Sequence, residues 1–257
     1  MNIFKTTTFF LILSSILFSC NNNKQSDWIY LFDGKTTNGW RGYNSDKIPP
    51  GWIASEGMLM FDRGKFELEL EQDYVGGRDI IYTNEEFDEF ELYFEWKIPE
   101  GGNSGIFYHV NEGYNGPHEA SPEYQLIDDL NYASIHDLRA YNESFGESEP
   151  EKLQDWQKSG TNYAMHIVPK VVDKKLNPAG EWNSSKIIFT KQNVEHWLNG
   201  VNIISFVPWS DEWKKLRDSG KWNDYPDYGK FKTGYIGIQD HGSSLWFKNI
   251  KLKRIKN

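Results

Sequence analysis

The stretch FELYFEWKI, residues 90–98, sets Phe90, Leu92, Phe94, Trp96 and Ile98 at alternate positions, with Glu91, Tyr93, Glu95 and Lys97 between them. A period of two fits an extended strand and no helix, so this segment has one apolar face to bury and one wet face. The stretch KIIFTKQNVEHWLNGVNIISF (186–206) repeats the pattern, and Asn199-Gly200 between apolar flanks signals a tight hairpin turn. GYIGIQDHGSSLWFKNIKLKRI (234–255) supplies two more strands around Gly242 and Ser243. Helical periodicity is scarce. SDEWKKLRDSG (210–220) is the clearest short helix, with Ser210 as cap and Gly220 as stop, and EKLQDWQKSG (151–160) reads as a helical turn. Strands without βαβ alternation or internal repeats predict an all-β, antiparallel two-sheet sandwich. Asn111 to Thr161 is weakly apolar apart from Tyr124, Leu126 and Ile127, and reads as a long loop excursion of the functional kind.

The chain has 257 residues, enough for one sizeable core, which the sequence places in a single domain over 28–257. A formal charge of −9 and no run of Lys and Arg exclude nucleic acid as a partner. The first 20 residues carry Lys5, an apolar run from Phe9 to Phe18, then Ser19 and Cys20, the form of a secretory signal. The run is about half of a bilayer-spanning helix. Leu17 to Cys20 resembles the lipobox of bacterial lipoproteins, with a bulky Phe18 where a small residue is usual. Cys20 would then be the lipidated first residue of a mature outer-membrane lipoprotein, facing the periplasm or the cell surface; cleavage elsewhere is the alternative. Residues 21–27 form a polar tether. Cys20 is the only cysteine, so the exported chain has no disulfide and no thiolate chemistry.

Two clusters carry candidate chemistry. In EYQLIDD (123–129), Glu123 and Gln125 share a strand face, roughly 7 Å apart along the chain. Asp128 joins that face only if a bulge intervenes or the strand has ended. The E-x-Q-x-x-D spacing copies the E-x-D-x-x-E signature of laminarinase-type glucanases, with a shorter third group. A retaining pair needs carboxyls about 5 to 5.5 Å apart, which the missing methylene disfavours. The plain alternative is a solvated strand face. In IGIQDHG (236–242), Ile236 and Ile238 pack inward and turn Gln239 and His241 to the other face with Tyr235, while Asp240 shares the isoleucine face or lies in a turn. A histidine near a turn is commonly structural, although the neighbouring Gln and Asp can orient an imidazole. His196 in VEHWLNG is a weaker site candidate, and Glu181 in GEWN is either a ligand or a group fixing its loop. GGNSG (101–105) lacks a following lysine or helix and reads as a turn entering a strand, not a phosphate loop. His118, His136 and His166 carry no motif.

LFDGKTTNGW, GGNSGIFYHV, EYQLIDD, NPAGEWNSSKI, VEHWLNGV and GYIGIQDHGSSLWFKNIKL, in order from about Tyr30 to Leu252, resemble the 3-keto-disaccharide hydrolase family, also described as 3-keto-glucoside lyase/hydratase domains. The resemblance implies a jelly-roll sandwich of the concanavalin A-like lectin/glucanase type and glycoside substrates already oxidised at C3. His109 stands where the family commonly has arginine, and the position is read as a substrate contact. The insertion IHDLRAYNESFGESEPEKLQDWQ (135–157) is expected to reshape the cleft. A C3 ketone acidifies C2–H, so a base there, a donor at the C3 oxygen and an acid at the glycosidic oxygen cleave the bond by elimination, and water then adds. On this chemistry His241 is expected to be the base or the acid and Glu123 its counterpart. Gln125, Asp128, His109, Gln239, Glu181 and His196 become substrate contacts. Glu123 and Asp128, with Gln125, are candidate ligands of a divalent cation. The 11 tryptophans suit a sugar cleft, although most are expected in the core. A non-catalytic carbohydrate-binding lipoprotein and a conventional glucanase-type glycosidase are the alternatives on the same fold.

Overall fold

The computed structural model describes residues 27–68 and 78–256. The signal segment, Cys20 and all of the tether except Asp27 lie outside the described residues. In chain order the first strands are β1 (Ile29–Tyr30), β2 (Trp40–Gly42), β3 (Trp52–Ser55), β4 (Met58–Phe61), β5 (Ile80–Phe87), β6 (Phe90–Lys97) and β7 (Asn103–Val110). There follow β8 (Glu123–Ile127), β9 (Asn183–Phe189), β10 (Val194–Leu198), β11 (Val201–Phe206), β12 (Gly234–Ile238) and β13 (Leu245–Arg254). One sheet runs β11-β10-β9-β6-β13-β4-β3 with β1 also on β13, and the other runs β2-β5-β12-β7-β8. Every pairing is antiparallel. The fold is the all-β jelly-roll sandwich expected from the sequence.

The alternation in β6 is realised residue by residue: Phe90, Leu92 and Phe94 are fully buried and Trp96 nearly so. Each contributes about 2 kcal/mol of apolar burial against the facing sheet. Asn199 and Gly200 adopt φ of 45° and 81°, the left-handed pair a two-residue hairpin turn demands, and close β10 onto β11. Among the short helices α1 (Arg63–Leu68), α2 (Tyr132–Ile135), α3 (Arg139–Glu143) and α4 (Asp211–Arg217), the last is capped as expected, Ser210 Oγ accepting from Trp213 N at 3.1 Å. It stops at Asp218, however, and Gly220 opens a separate 3₁₀ turn over Gly220–Asp224. The helical turn expected in 151–160 is a 3₁₀ turn at Asp155–Gln157.

The five-stranded sheet departs from an ordinary sandwich. Its inner face contributes Ile106, Tyr108, Tyr124 and Leu126 to the main core, yet its outer face is also covered, and β7 and β8 are buried at every position. The excursion after Asn111 folds over that outer face. It holds β8 itself, α2, α3 and a return segment lying along the free edge of β8. Gln125 N donates to Thr161 O at 3.1 Å, Gly160 N to Gln125 O at 2.8 Å and Tyr163 N to Glu123 O at 3.0 Å. This closes an edge that would otherwise template aggregation. Gly160 has φ of +86°, and a Cβ there would sit 2.1 Å from Ile203 Cδ1, so only glycine fits.

Candidate active site

Between the outer face of the five-stranded sheet and the excursion lies a cleft of about 650 Å³, within the usual range for ligand pockets. Alternation along β8 brings Glu123, Gln125 and Ile127 to its floor. Opposite them in register on β7 stand Phe107, Gly105 and Asn103. The Glu123 carboxyl lies over Gly105, where a Cβ would be 2.0 Å from Oε1, so the last glycine of GGNSG makes room for the acid. The expected turn into a strand is therefore also part of the site. Glu123 is 3% exposed, and its carboxyl has no hydrogen-bond or ion-pair partner among the described residues. Burial pushes its carboxyl well above the usual carboxylate range, Lys221 opposes and Asp79 adds to the rise.

The segment following β12 forms the opposite wall. Gln239 N donates to Gly105 O at 2.9 Å, and Gln239, Asp240 and His241 all line the cleft. Asp240 lies in the turn, buried, with Oδ2 2.8 Å from Arg78 Nε and Oδ1 accepting from Gly242 N at 2.8 Å. Asp240 N donates to Asp79 Oδ1 at 2.8 Å. Burial raises Asp79 to about 7, with the Asp240 N–H opposing. His241 stands exposed at the mouth, where the surrounding walls hold its imidazole below the ordinary value and Asp240 pulls the other way.

The structure brings Glu123, Gln125, Gln239 and His241 together and removes four other expected contacts. Asp128 follows the end of β8 and turns away from the cleft. Its Oδ2 accepts from Gly101 N and Asn131 Nδ2, both at 2.9 Å, and its Oδ1 from Leu130 N at 3.2 Å and Asn131 N at 3.3 Å. It fixes the loop and leaves Glu123 without a glucanase-type partner on the strand. Asp128 is therefore outside the cleft that holds Glu123 and Gln125, the other two expected cation ligands. His109 should share the face of Gly105 and Phe107, but its φ of 54° breaks the alternation. The ring turns inward, 4.4 Å from that of Phe189, with Nε2 2.9 Å from Asp88 O, and burial lowers its pKa to about 4. His196 is buried between the sheets, its Nδ1 2.9 Å from Gly160 O and its pKa lowered to about 3 by burial. Glu181 is exposed in the turn before β9 and lines no part of the cleft.

Several cleft residues escaped sequence reasoning. The 135–157 insertion supplies His136, Leu138, Tyr141 and Leu153, as expected of a segment that reshapes the cleft. Asp79, His118, Tyr163 and Lys221 come from segments with no motif. None of the tryptophans lines the cleft; its aromatic walls are Tyr132, Tyr141 and Tyr163. Asn103 Oδ1 is buried without a partner, while its Nδ2 donates to Tyr132 Oη at 3.3 Å. The unpaired acid and unpaired amide oxygen are groups whose desolvation a polar ligand would offset.

The sequence profile of the 3-keto-alpha-glucoside-1,2-lyase-like domain matches residues 27–253. The chain belongs to this family. Within its reach, a Bacteroides thetaiotaomicron protein named 3-keto-disaccharide hydrolase is 32% identical over 247 residues, covering 88% of this chain and 78% of that protein. A Parabacteroides distasonis crystal structure provisionally named a glycosyl hydrolase is 40% identical, with a TM-score of 0.75 over 89% of this chain and 94% of that one. A second structure from the same organism, at 23% identity and a TM-score of 0.61 over 89% of this chain and 99% of that one, shares the fold. The family membership makes the chain a hydrolase, and not only a sugar-binding module.

Proposed function

We propose that this chain cleaves 3-keto-disaccharides by elimination and rehydration, with Glu123 and His241 as the acid/base pair. The supporting observation is the buried, unpartnered Glu123 carboxyl on the cleft floor, in a family whose name specifies a 3-keto-glucoside. Its raised pKa keeps the carboxyl protonated at pH values where an ordinary glutamate is ionised, which suits an acid. His241, held below the ordinary imidazole value, is neutral near pH 7 and suits a base. An imidazole nitrogen of His241 takes the C2 proton, and the electron pair passes into the C3 carbonyl as an enolate. The carbonyl then reforms, the C1=C2 bond forms as the C1–O bond breaks, and Glu123 gives its proton to the departing oxygen. In the second half Glu123, now a carboxylate, takes a proton from water as the hydroxyl adds at C1, and the imidazolium returns its proton to C2. The net change is hydrolysis. Asp128, saturated by the loop, leaves no second strand carboxylate for the conventional retaining route.

Incubation with a 3-keto-disaccharide and with its unoxidised parent, followed by mass spectrometry, tests this. Consumption of the keto sugar alone is expected. Turnover of the parent would point to an ordinary glycosidase, and saturable binding without any product to a binding module. The lipobox supports an anchor at Cys20: C20A should shift the protein from the membrane to the soluble fraction, and an unchanged distribution would remove the anchor.

A further inference from the structure

The elimination needs one group that neither Glu123 nor His241 supplies. When C2–H breaks, the negative charge settles on the C3 oxygen, and a fixed donor there would stabilise it. Among the described residues lining the cleft, Lys221 is the only lysine or arginine. Like Lys97, Lys186, Lys232 and Lys251 it lies over aromatic rings, but unlike them it lines the cleft. Lys152, Lys158, Lys174, Lys214, Lys230, Lys248 and Lys253 each rest against a carboxylate. Lys221 has no carboxylate within ion-pair distance among the described residues. Its Nζ instead lies 4.4 Å from the centre of the Tyr163 ring and 4.8 Å from that of Trp222.

The arm carrying this amine is held firmly. Gly220, with φ of +57°, turns the chain out of α4 into the 3₁₀ turn that begins at Lys221's neighbour. Trp222 is buried, stacks on Tyr228 at 3.8 Å and donates its indole N–H to Tyr163 O at 3.2 Å. The amine therefore sits over aromatic faces, which favour a cation, with its hydrogen-bonding capacity unspent on any protein anion. Burial lowers its pKa and Glu123 opposes that fall, so an anion arriving from the substrate would complete its coordination.

Resting on the keto-glycoside reading above, we propose that Lys221 is a further catalytic residue, its Nζ donating to the C3 oxygen of the bound sugar and holding the enolate as the C2 proton leaves. The C2–H pair becomes the C2=C3 bond and the carbonyl pair moves to oxygen beside the ammonium; when C1–O breaks, the oxygen pair returns to C3=O, the C2=C3 pair becomes the C1=C2 bond, and the C1–O pair leaves with the oxygen. No covalent bond to the amine forms. The same contact makes the site select a ketone, because a C3 hydroxyl develops no charge for Lys221 to meet.

The test separates proton abstraction from bond cleavage. The 3-keto derivative of 1,5-anhydroglucitol has no exocyclic leaving group at C1, so in D₂O proton abstraction shows as exchange of its C2 hydrogen without glycosidic cleavage, which NMR follows. Wild type should exchange, and K221M should exchange at least about 100-fold more slowly. With a 3-keto-disaccharide, K221M should lose kcat and leave KM within about threefold, the signature of an interaction made in the transition state. If K221M does not hold the wild-type melting temperature, K221A with added ethylammonium carries the test. Recovery with the amine and none with propanol is expected; no recovery in folded K221A overturns the role. Exchange by K221M at the wild-type rate overturns it too, as does a borohydride-trapped sugar adduct on Lys221, which would mean an imine. Wild type that neither exchanges nor cleaves would instead bring down the keto-glycoside reading and the Lys221 role with it. Active wild type beside equally active K221M brings down the Lys221 role alone.

Discussion

Glu123 and Asp128 belong to one short stretch, are both buried, and live in opposite circumstances. Glu123 lies within β8 and faces the cleft, and its carboxyl has no protein partner among the described residues. Asp128 lies one residue past the strand and accepts four hydrogen bonds from a loop it organises. A carboxylate with every lone pair engaged stabilises its own loop and has nothing to offer a substrate. One left desolvated and unpaired destabilises the native state and keeps its proton available. Function at β8 thus sits where the fold has left a polar group unsatisfied.

The sharpest way to break this comparison is E123Q, which keeps the shape and removes the proton. Cleavage of a 3-keto-disaccharide should fall at least about 100-fold. Stability should move the other way. Glu123's folded pKa lies above its unfolded value, so the native state binds more protons and loses stability as pH rises through that folded pKa. E123Q should therefore melt higher than wild type on the alkaline side and converge with it toward about pH 4, where both forms are neutral. An equal melting temperature at alkaline pH would remove the claim that the charge is costly. H241A should lower turnover by about 30- to 100-fold with little change in melting, because the ring stands at the mouth. H196A should do the reverse, opening a cavity between the sheets and lowering stability by about 2 kcal/mol or more.

D128A sharpens the other side. Stranding the N–H groups of Gly101, Leu130 and Asn131 should cost roughly 1–3 kcal/mol in urea unfolding, while the folded enzyme keeps kcat within a few fold. Loss of kcat without loss of stability would return Asp128 to the chemistry. The smallest effect belongs to E181A, an exposed turn residue, for which stability within about 0.5 kcal/mol and unchanged kinetics are expected.

Much of this site was legible because a strand obeys a simple rule. Period two on β8 placed Glu123 with Gln125, whereas Gln239 and His241 reach the cleft from the segment after β12, where Asp240 between them lines it as well. The rule failed at His109, where one left-handed residue reversed the ring; at Asp128 the strand ended as the site assignment required, but the loop carried the carboxylate away from the cleft. Neither event has a signature in the residue itself: histidine and aspartate are found in strands, bulges and loops alike. Lys221 and Asp79 were beyond reach for another reason. They share the cleft with Glu123 across separations that only the packing of the 3₁₀ turn and the pairing of β5 with β12 create.

The sequence by itself determined what local chemistry controls: strand alternation, the Asn199-Gly200 turn, the Ser210 cap and the order of motifs that marks the family. These depend on backbone preference and on burying one face, both written in neighbouring residues. Only the tertiary structure decided which polar side chains went unpartnered and which were saturated. Satisfaction of a buried group depends on atoms brought from elsewhere in the chain, and in this protein that separates the acid of the cleft from the acid of the loop.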